Sequence, residues 1–315
     1  MIPHGGDLDR AMARWGGARE DWLDLSTGIN RRVPPLPEPP AHARTALPTR
    51  AEMAELEAAA AEAYDAPRAL ALAGASQAIG ILPLLSESGT ARILGPTYGE
   101  HARALRAAGW AVEEVAGLDA LVGADLAVAV NPNNPDGRRH DPEALLAMAG
   151  RVGRLVVDES FADPHPELSL APRAAGAGIV VQRSLGKFYG LAGLRLGFAL
   201  GPDEVLDALS AAAGPWPVSG EAVHLGTAAL RNRAWAEAER ARLARDAARL
   251  GALGRAPGWE MVGATALFAT FGVPEGTQER LAEARIWTRA FPERPGWLRL
   301  GLPGEDWERL ERALG

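Results

Sequence analysis

Six short apolar runs separated by helix-forming stretches constrain this chain more than any other feature. ALAL (69–72), ARILG (91–95), DLAVAV (125–130), RLVVDES (154–160), GIVVQRS (178–184) and LGFALG (196–201) have the length and apolar character of buried strands. Between them lie helical segments, of which AEMAELEAAAAEAY (51–64) has a strong helix propensity. Such alternation predicts an α/β domain with a mostly parallel sheet. In open sheets of this kind ligands sit beyond the strand ends, so the polar loops after these runs are where chemistry is to be sought.

From Pro215 onward the pattern changes. One long Arg/Ala/Glu helix over roughly 220–253, the runs ALFATFG (266–272) and WLRLGLP (297–303), and a closing helix predict a smaller α+β domain. At the other end RRVPPLPEPP (31–40) holds the chain extended and outside any ladder. The expected organisation is an N-terminal arm over 1–40 that lies across the surface, a large domain over 41–214 and a small one over 215–315. A chain of 315 residues has room for both.

Composition removes several function classes. A net charge of -7 is the wrong sign for a nucleic-acid surface. With no cysteine there is no disulfide framework, thiolate metal site or thiol nucleophile, which fits a reducing cytoplasm. Charges from Asp7 to Asp24 leave no apolar signal segment. The longest uncharged run, 69–86, is broken by Gly74, Gly80 and Pro83 and predicts a strand, a turn and a buried helix, not a membrane span. The six histidines are scattered, none spaced as a metal-ligating pair.

SLGKFYG (184–190) holds the only lysine. Arginine fills every other position that needs a long basic side chain, yet a guanidinium stays protonated and cannot attack a carbonyl as an amine does. One survivor could be chance, so its neighbours decide. GASQ (74–77), between a strand and an apolar helix, is either an ordinary turn capped by Ser76 or a helix start whose N–H groups face a phosphate. GPTY (95–98) puts Tyr98 at a strand end, where it could lie flat on a ring. NPNNPDG (131–137) offers an amide on a fixed turn. VVDES (156–160) puts Asp158 after a buried strand, where it needs a positive charge opposite to stay ionised. Ser184 and Arg195, flanking Lys187, suit a phosphate.

Together these motifs require a cofactor with a phosphate, a basic ring nitrogen and an aldehyde, as in pyridoxal 5′-phosphate. The ordered set GASQ, GPTY, NPNNPDG, VVDES, SLGKFYG and LRLG resembles the class I/II aminotransferase family of fold type I over nearly the whole chain. The resemblance implies that Lys187 condenses with the aldehyde and Asp158 pairs with the ring nitrogen. It further implies that Tyr98 stacks on the ring, Asn134 meets the 3′-oxygen, and Ala75, Ser76, Gln77, Ser184 and Arg195 surround the phosphate. Arg299 matches the family's arginine for the substrate carboxylate, and Arg289 is similar to a second substrate-facing arginine. Two departures stand out: Phe161 replaces the usual tyrosine, and LPTRAEM (47–53) lacks the tyrosine that reaches a partner subunit.

The opening HGGDLDRAMARWG (4–16) and WLDLSTGINRRVPP (22–35), with His101 in GPTYGEH and Phe161 in DESF, resembles the threonine-phosphate decarboxylase branch, close to the histidinol-phosphate aminotransferases. That likeness implies substrate contacts from His4, Gly5 and Asn30, a phosphorylated amino acid as substrate, decarboxylation in cobalamin assembly, and a homodimer. A decarboxylase must hold the carboxylate out of the cofactor plane, a pose no residue type reveals. The alternatives are an aminotransferase on histidinol phosphate or a related amino acid, and a non-catalytic module that keeps the cofactor fold.

Overall fold

A computed structural model describes residues 5–176 and 178–315. His4 lies outside the described residues. Two compact units divide the chain: the larger comprises 33–134 and 139–238, the smaller 1–32, 135–138 and 239–315. The expected boundaries differ from this grouping at both ends. Residues 215–238 belong to the larger unit because helix Gly220–Arg231 packs on helix Arg50–Ala63. Residues 1–32 belong to the smaller one: Leu8, Ala11 and Trp22 are buried with Ala282 and Trp287, and strand Leu23–Asp24 pairs in parallel with Ile286–Trp287. The amphipathic spacing of LDRAMARW, apolar at Leu8, Ala11 and Met12, makes the arm part of a core instead of a surface strap.

The larger unit is built on seven strands: β1 Leu70–Leu72, β2 Thr90–Leu94, β3 Ala111–Val115, β4 Leu126–Val130, β5 Leu155–Asp158, β6 Ile179–Ser184 and β7 Gly197–Leu200. Their order is β1-β7-β6-β5-β4-β2-β3. All neighbours run parallel except those of β7, which is antiparallel to both β1 and β6. All six apolar runs are strands. Their continuous hydrophobicity reflects burial on both sheet faces, as a parallel sheet requires. On one face Leu72, Ile93, Val128, Val156 and Val180 form a single core with Leu82, Leu105 and Leu206. Helix Arg50–Ala63 starts in a reciprocal cap: Glu52 N donates to Thr49 Oγ1 at 3.2 Å and Thr49 N donates to Glu52 Oε2 at 2.7 Å.

The smaller unit carries a four-stranded antiparallel sheet in the order Arg289–Ala290, Trp297–Gly301, Phe268–Gly272, Glu260–Ala264. The single helix expected over 220–253 is two, Gly220–Arg231 and Arg233–Arg255. Asn232 separates them, with its side-chain oxygen accepting from Trp235 N at 3.1 Å, the local bond by which asparagine competes with helix continuation. Among the described residues no helix is long and apolar enough to cross a membrane.

Candidate active site

Strand ends β5 and β6 bring the chemistry of the larger unit together. Asp158 closes β5 and is 3% exposed. Its Oδ2 lies 3.0 Å from His101 Nε2, and Oδ1 accepts from Ser160 N at 2.9 Å and Ser160 Oγ at 2.6 Å. Burial pushes this carboxyl up, but the bonds from His101 and Ser160 outweigh it and hold Asp158 below the usual carboxylate range. The partner that faces Asp158 is therefore a histidine 57 residues away in sequence. His101 lies three residues after Tyr98, whose ring meets the imidazole edge-on at 6.2 Å. Burial and the nearby acids Glu100 and Asp158 push the Tyr98 phenol up, keeping it neutral.

Lys187 follows β6 in a turn and is half-buried. Its Nζ stands 5.7 Å from the centre of the Phe161 ring, so the departure noted at DESF sits beside the single amine. The turn is anchored by aromatics: Phe188 meets Tyr189 at 5.0 Å and Trp235 at 5.4 Å, and Tyr189 stacks on Trp235 at 5.7 Å. On the other sheet face from Asp158, Arg183 is buried against Glu159 at 3.1 Å, with Asp163 at 3.9 Å and the Tyr64 ring at 4.3 Å. Ser169 Oγ and Leu170 N also donate to Glu159.

GASQ forms the start of helix Ala75–Ile81, with Gly74 at φ 76° as the cap. Gln77 Oε1 accepts from Ala73 N at 2.7 Å, and Arg195 Nη2 donates to the exposed Ser76 Oγ at 3.4 Å. Gly197 lets this turn approach the sheet, since a Cβ there would lie 2.4 Å from Ala75 N. Ser184 Oγ accepts from Gly186 N at 3.3 Å. Asn134 is half-buried after β4, and its neighbour Asn133 is fixed by bonds to Thr97 Oγ1 and the Pro96 carbonyl. Tyr98, Asn134, Asp158, Ser184, Lys187 and Arg195 thus lie in loops or strand ends, and Ser76 in the first turn of a helix, all of one unit.

The smaller unit holds a second constellation. Arg289 and Arg299 are direct cross-strand neighbours. Arg299 is 6% exposed, lies over the rings of Phe268 and Phe291, and donates from Nη2 to the Ser26 carbonyl at 2.7 Å. Burial first, then the charge of Arg289, lower its ordinary value to about 9, with Asp24 opposing. Ser26 also ties down the arm, because Gly6 N donates to its hydroxyl at 2.7 Å and that hydroxyl donates to Asp24 Oδ1 at 2.6 Å. Gly5 sits so close that a Cβ would lie 2.3 Å from the Ser26 oxygen and 3.3 Å from Arg299 Nη2. Asn30 is engaged within the unit: its amide donates to Glu239 Oε1 at 2.7 Å and accepts from Arg242 Nη2 at 2.8 Å.

Sequence reasoning missed the His101–Asp158 bond and Ser26. A signal existed for the first: a buried carboxylate needs a cation or donor, and only six histidines were available. Nothing in the sequence marks Ser26.

The family described as aminotransferase class I and II matches residues 41–315. A threonine-phosphate decarboxylase of Sinorhizobium sp is 46% identical, over 96% of this chain and 93% of its own. One from Pseudomonas aeruginosa is 44% identical over 100% and 97%. Among solved structures, histidinol-phosphate aminotransferase from Sinorhizobium meliloti in complex with pyridoxal-5′-phosphate superposes with a TM-score of 0.84 over 99% of this chain and 94% of that one, at 18% identity, a likeness of fold. On this match, and on strand order and motif placement that agree with it, the chain belongs to the class I and II aminotransferase family, with the fold type I architecture.

Proposed function

We propose that this chain is a pyridoxal-phosphate-dependent decarboxylase that converts L-threonine O-3-phosphate to (R)-1-amino-2-propanol O-2-phosphate and CO₂, a step of cobalamin assembly. The observation that carries the reading is the Arg289–Arg299 doublet. Two guanidinium groups in opposed register, the inner one buried and its charge disfavoured, gain most from a ligand with several negative charges. A phosphorylated amino acid has a carboxylate and a phosphate. Full-length likeness to two threonine-phosphate decarboxylases selects that substrate over histidinol phosphate.

The residues present fit the cofactor. A carboxylate held ionised in an apolar wall matches a protonated ring nitrogen, and Ser76 with Arg195 at a helix start matches a phosphate. When bound, pyridoxal phosphate supplies an aldehyde that takes up an amine and a ring that accepts the electron pair released at Cα. Asp158, braced by His101 and Ser160, keeps a proton on the ring nitrogen. Tyr98 would offer its face and Asn134 its amide to the 3′-oxygen, Ala75, Ser76, Ser184 and Arg195 would hold the phosphate, and Gln77 would line the same cofactor site. Lys187 supplies the amine and returns one proton to Cα for each CO₂ that leaves.

Arg299, with Arg289, grips the substrate anions and thereby chooses which Cα bond is cleaved. The Gly5–Gly6 segment flanks that grip through Ser26, while Asn30 braces the loop that carries it. A symmetric homodimer in the cytoplasm completes the reading; the exposed apolar side chains Leu47 and Trp216, the latter bonded to the Pro48 carbonyl, support the dimer, and the absence of cysteine fits the compartment. Incubation with threonine phosphate and no keto acid tests the reaction: release of CO₂ is expected, and keto-acid-dependent amine transfer without CO₂ would overturn it.

A further inference from the structure

Gln182 is a polar residue in an apolar wall. It pairs in register with Asp158 across β5 and β6, on the sheet face that carries Val156 and Val180, and it is fully buried. Among the described residues neither its amide nitrogen nor its amide oxygen has a hydrogen-bond partner. A buried amide in that state is costly, and native proteins satisfy nearly all such groups.

A small cavity meets this side chain. Gln182, His101, Leu105, Val128 and Val156 are among its walls, and it leaves about 10 Å³ for the centre of a water molecule. That is close to the smallest space that holds one water, and a buried water also needs polar partners. Only Gln182 and His101 among the lining side chains can supply them. His101 Nε2 is committed to Asp158. If Nε2 carries the proton, a neutral ring leaves Nδ1 as an acceptor for a donor in the cavity. A water that accepts from the Gln182 amide nitrogen and donates to Nδ1 gives that nitrogen a partner and fixes the ring at the same time.

We propose that Gln182 is a positioning residue: through one water in this cavity it holds the His101 ring with its proton on Nε2, aimed at Asp158. Gln182 acts through His101 and touches neither substrate nor cofactor. The inference rests on the reading of Asp158 given above, but its test uses the cofactor-loaded protein without substrate, so failure to decarboxylate leaves it standing or falling on its own.

The test combines a high-resolution crystal structure of the loaded protein with ¹⁵N-histidine NMR of wild type and Gln182→Leu, a variant of similar shape with no polar atoms. The expected result is one ordered water within about 2.7–3.2 Å of both the Gln182 amide and His101 Nδ1. NMR should show a single Nε2–H tautomer in wild type and loss of that single signature in Gln182→Leu, with the thermal midpoint retained. Gln182→Met serves the same purpose if the leucine variant does not fold. A dry cavity, a Gln182 amide bonded elsewhere, a doubly protonated His101, or ring-nitrogen shifts unchanged in the variant would each overturn the proposal.

Discussion

Arg299→Lys keeps a positive charge at position 299 yet should give an enzyme with a different pH dependence. The environment of Arg299, burial first and then the Arg289 charge, lowers its guanidinium to about 9, which leaves it charged at neutral pH. The same burial and the same neighbouring charge would disfavour the charged form of a lysine amine there, whose ordinary value of about 10.4 starts lower than arginine's. Lysine also loses the two-point fork on a carboxylate, a charge-assisted bond of about 1.5–3 kcal/mol, or roughly tenfold to hundredfold in kcat/KM. Loss of charge adds to this as pH rises, because the site disfavours the protonated amine. The assay is kcat/KM for CO₂ release from threonine phosphate between pH 6 and 8.5. Wild type should lose little across that range, whereas Arg299→Lys should start lower and decline further as pH rises. A variant within threefold of wild type, with a parallel profile, would refute both the burial argument and the carboxylate role.

Gly5→Ala should raise KM for threonine phosphate with little change in the thermal midpoint, since a Cβ 2.3 Å from the Ser26 carbonyl unseats the segment beside Arg299; unchanged KM would remove Gly5 from the substrate site. Arg183→Met strands Glu159 and Asp163 in the interior and should lower unfolding stability by about 3–5 kcal/mol, measured by denaturant titration. Burial, then the Arg139 charge, depress His165 below its ordinary value of 6.5, with Glu167 opposing. The unfolded chain therefore takes up that proton first. His165 costs nothing above about pH 6.5, and stability falls as pH drops from there through the lower folded value, a slope that His165→Gln should remove.

Much of the large sheet was legible because a buried strand must be apolar along its whole length, as DLAVAV and GIVVQRS are. The strand Ala111–Val115 escaped notice for the opposite reason: it is the sheet edge, and Glu113 and Glu114 are exposed on it. The break at Asn232 was hidden by strong helix formers on both sides, since propensity sums over a window and a single local bond does not register. In the site, the loops after strand ends were readable from their prolines, glycines and polar residues. What could not be read were contacts between residues far apart in sequence: His101 on Asp158, Asn30 on Glu239 and Arg242, Ser26 on Arg299. Each depends on packing that brings distant segments together, and residue types alone do not encode it.

The central claim is that this chain breaks the bond from Cα to the carboxylate and leaves the Cα hydrogen in place. Reaction with L-threonine O-3-phosphate in deuterium oxide, read by mass spectrometry of the amine product, tests it most directly. The account predicts release of CO₂ and a product that gains one deuterium at the carbon that lost the carboxylate and keeps its original hydrogen, with neither event in Lys187→Ala. Exchange of the Cα hydrogen with the carboxylate retained, or full turnover by Lys187→Ala, would contradict it.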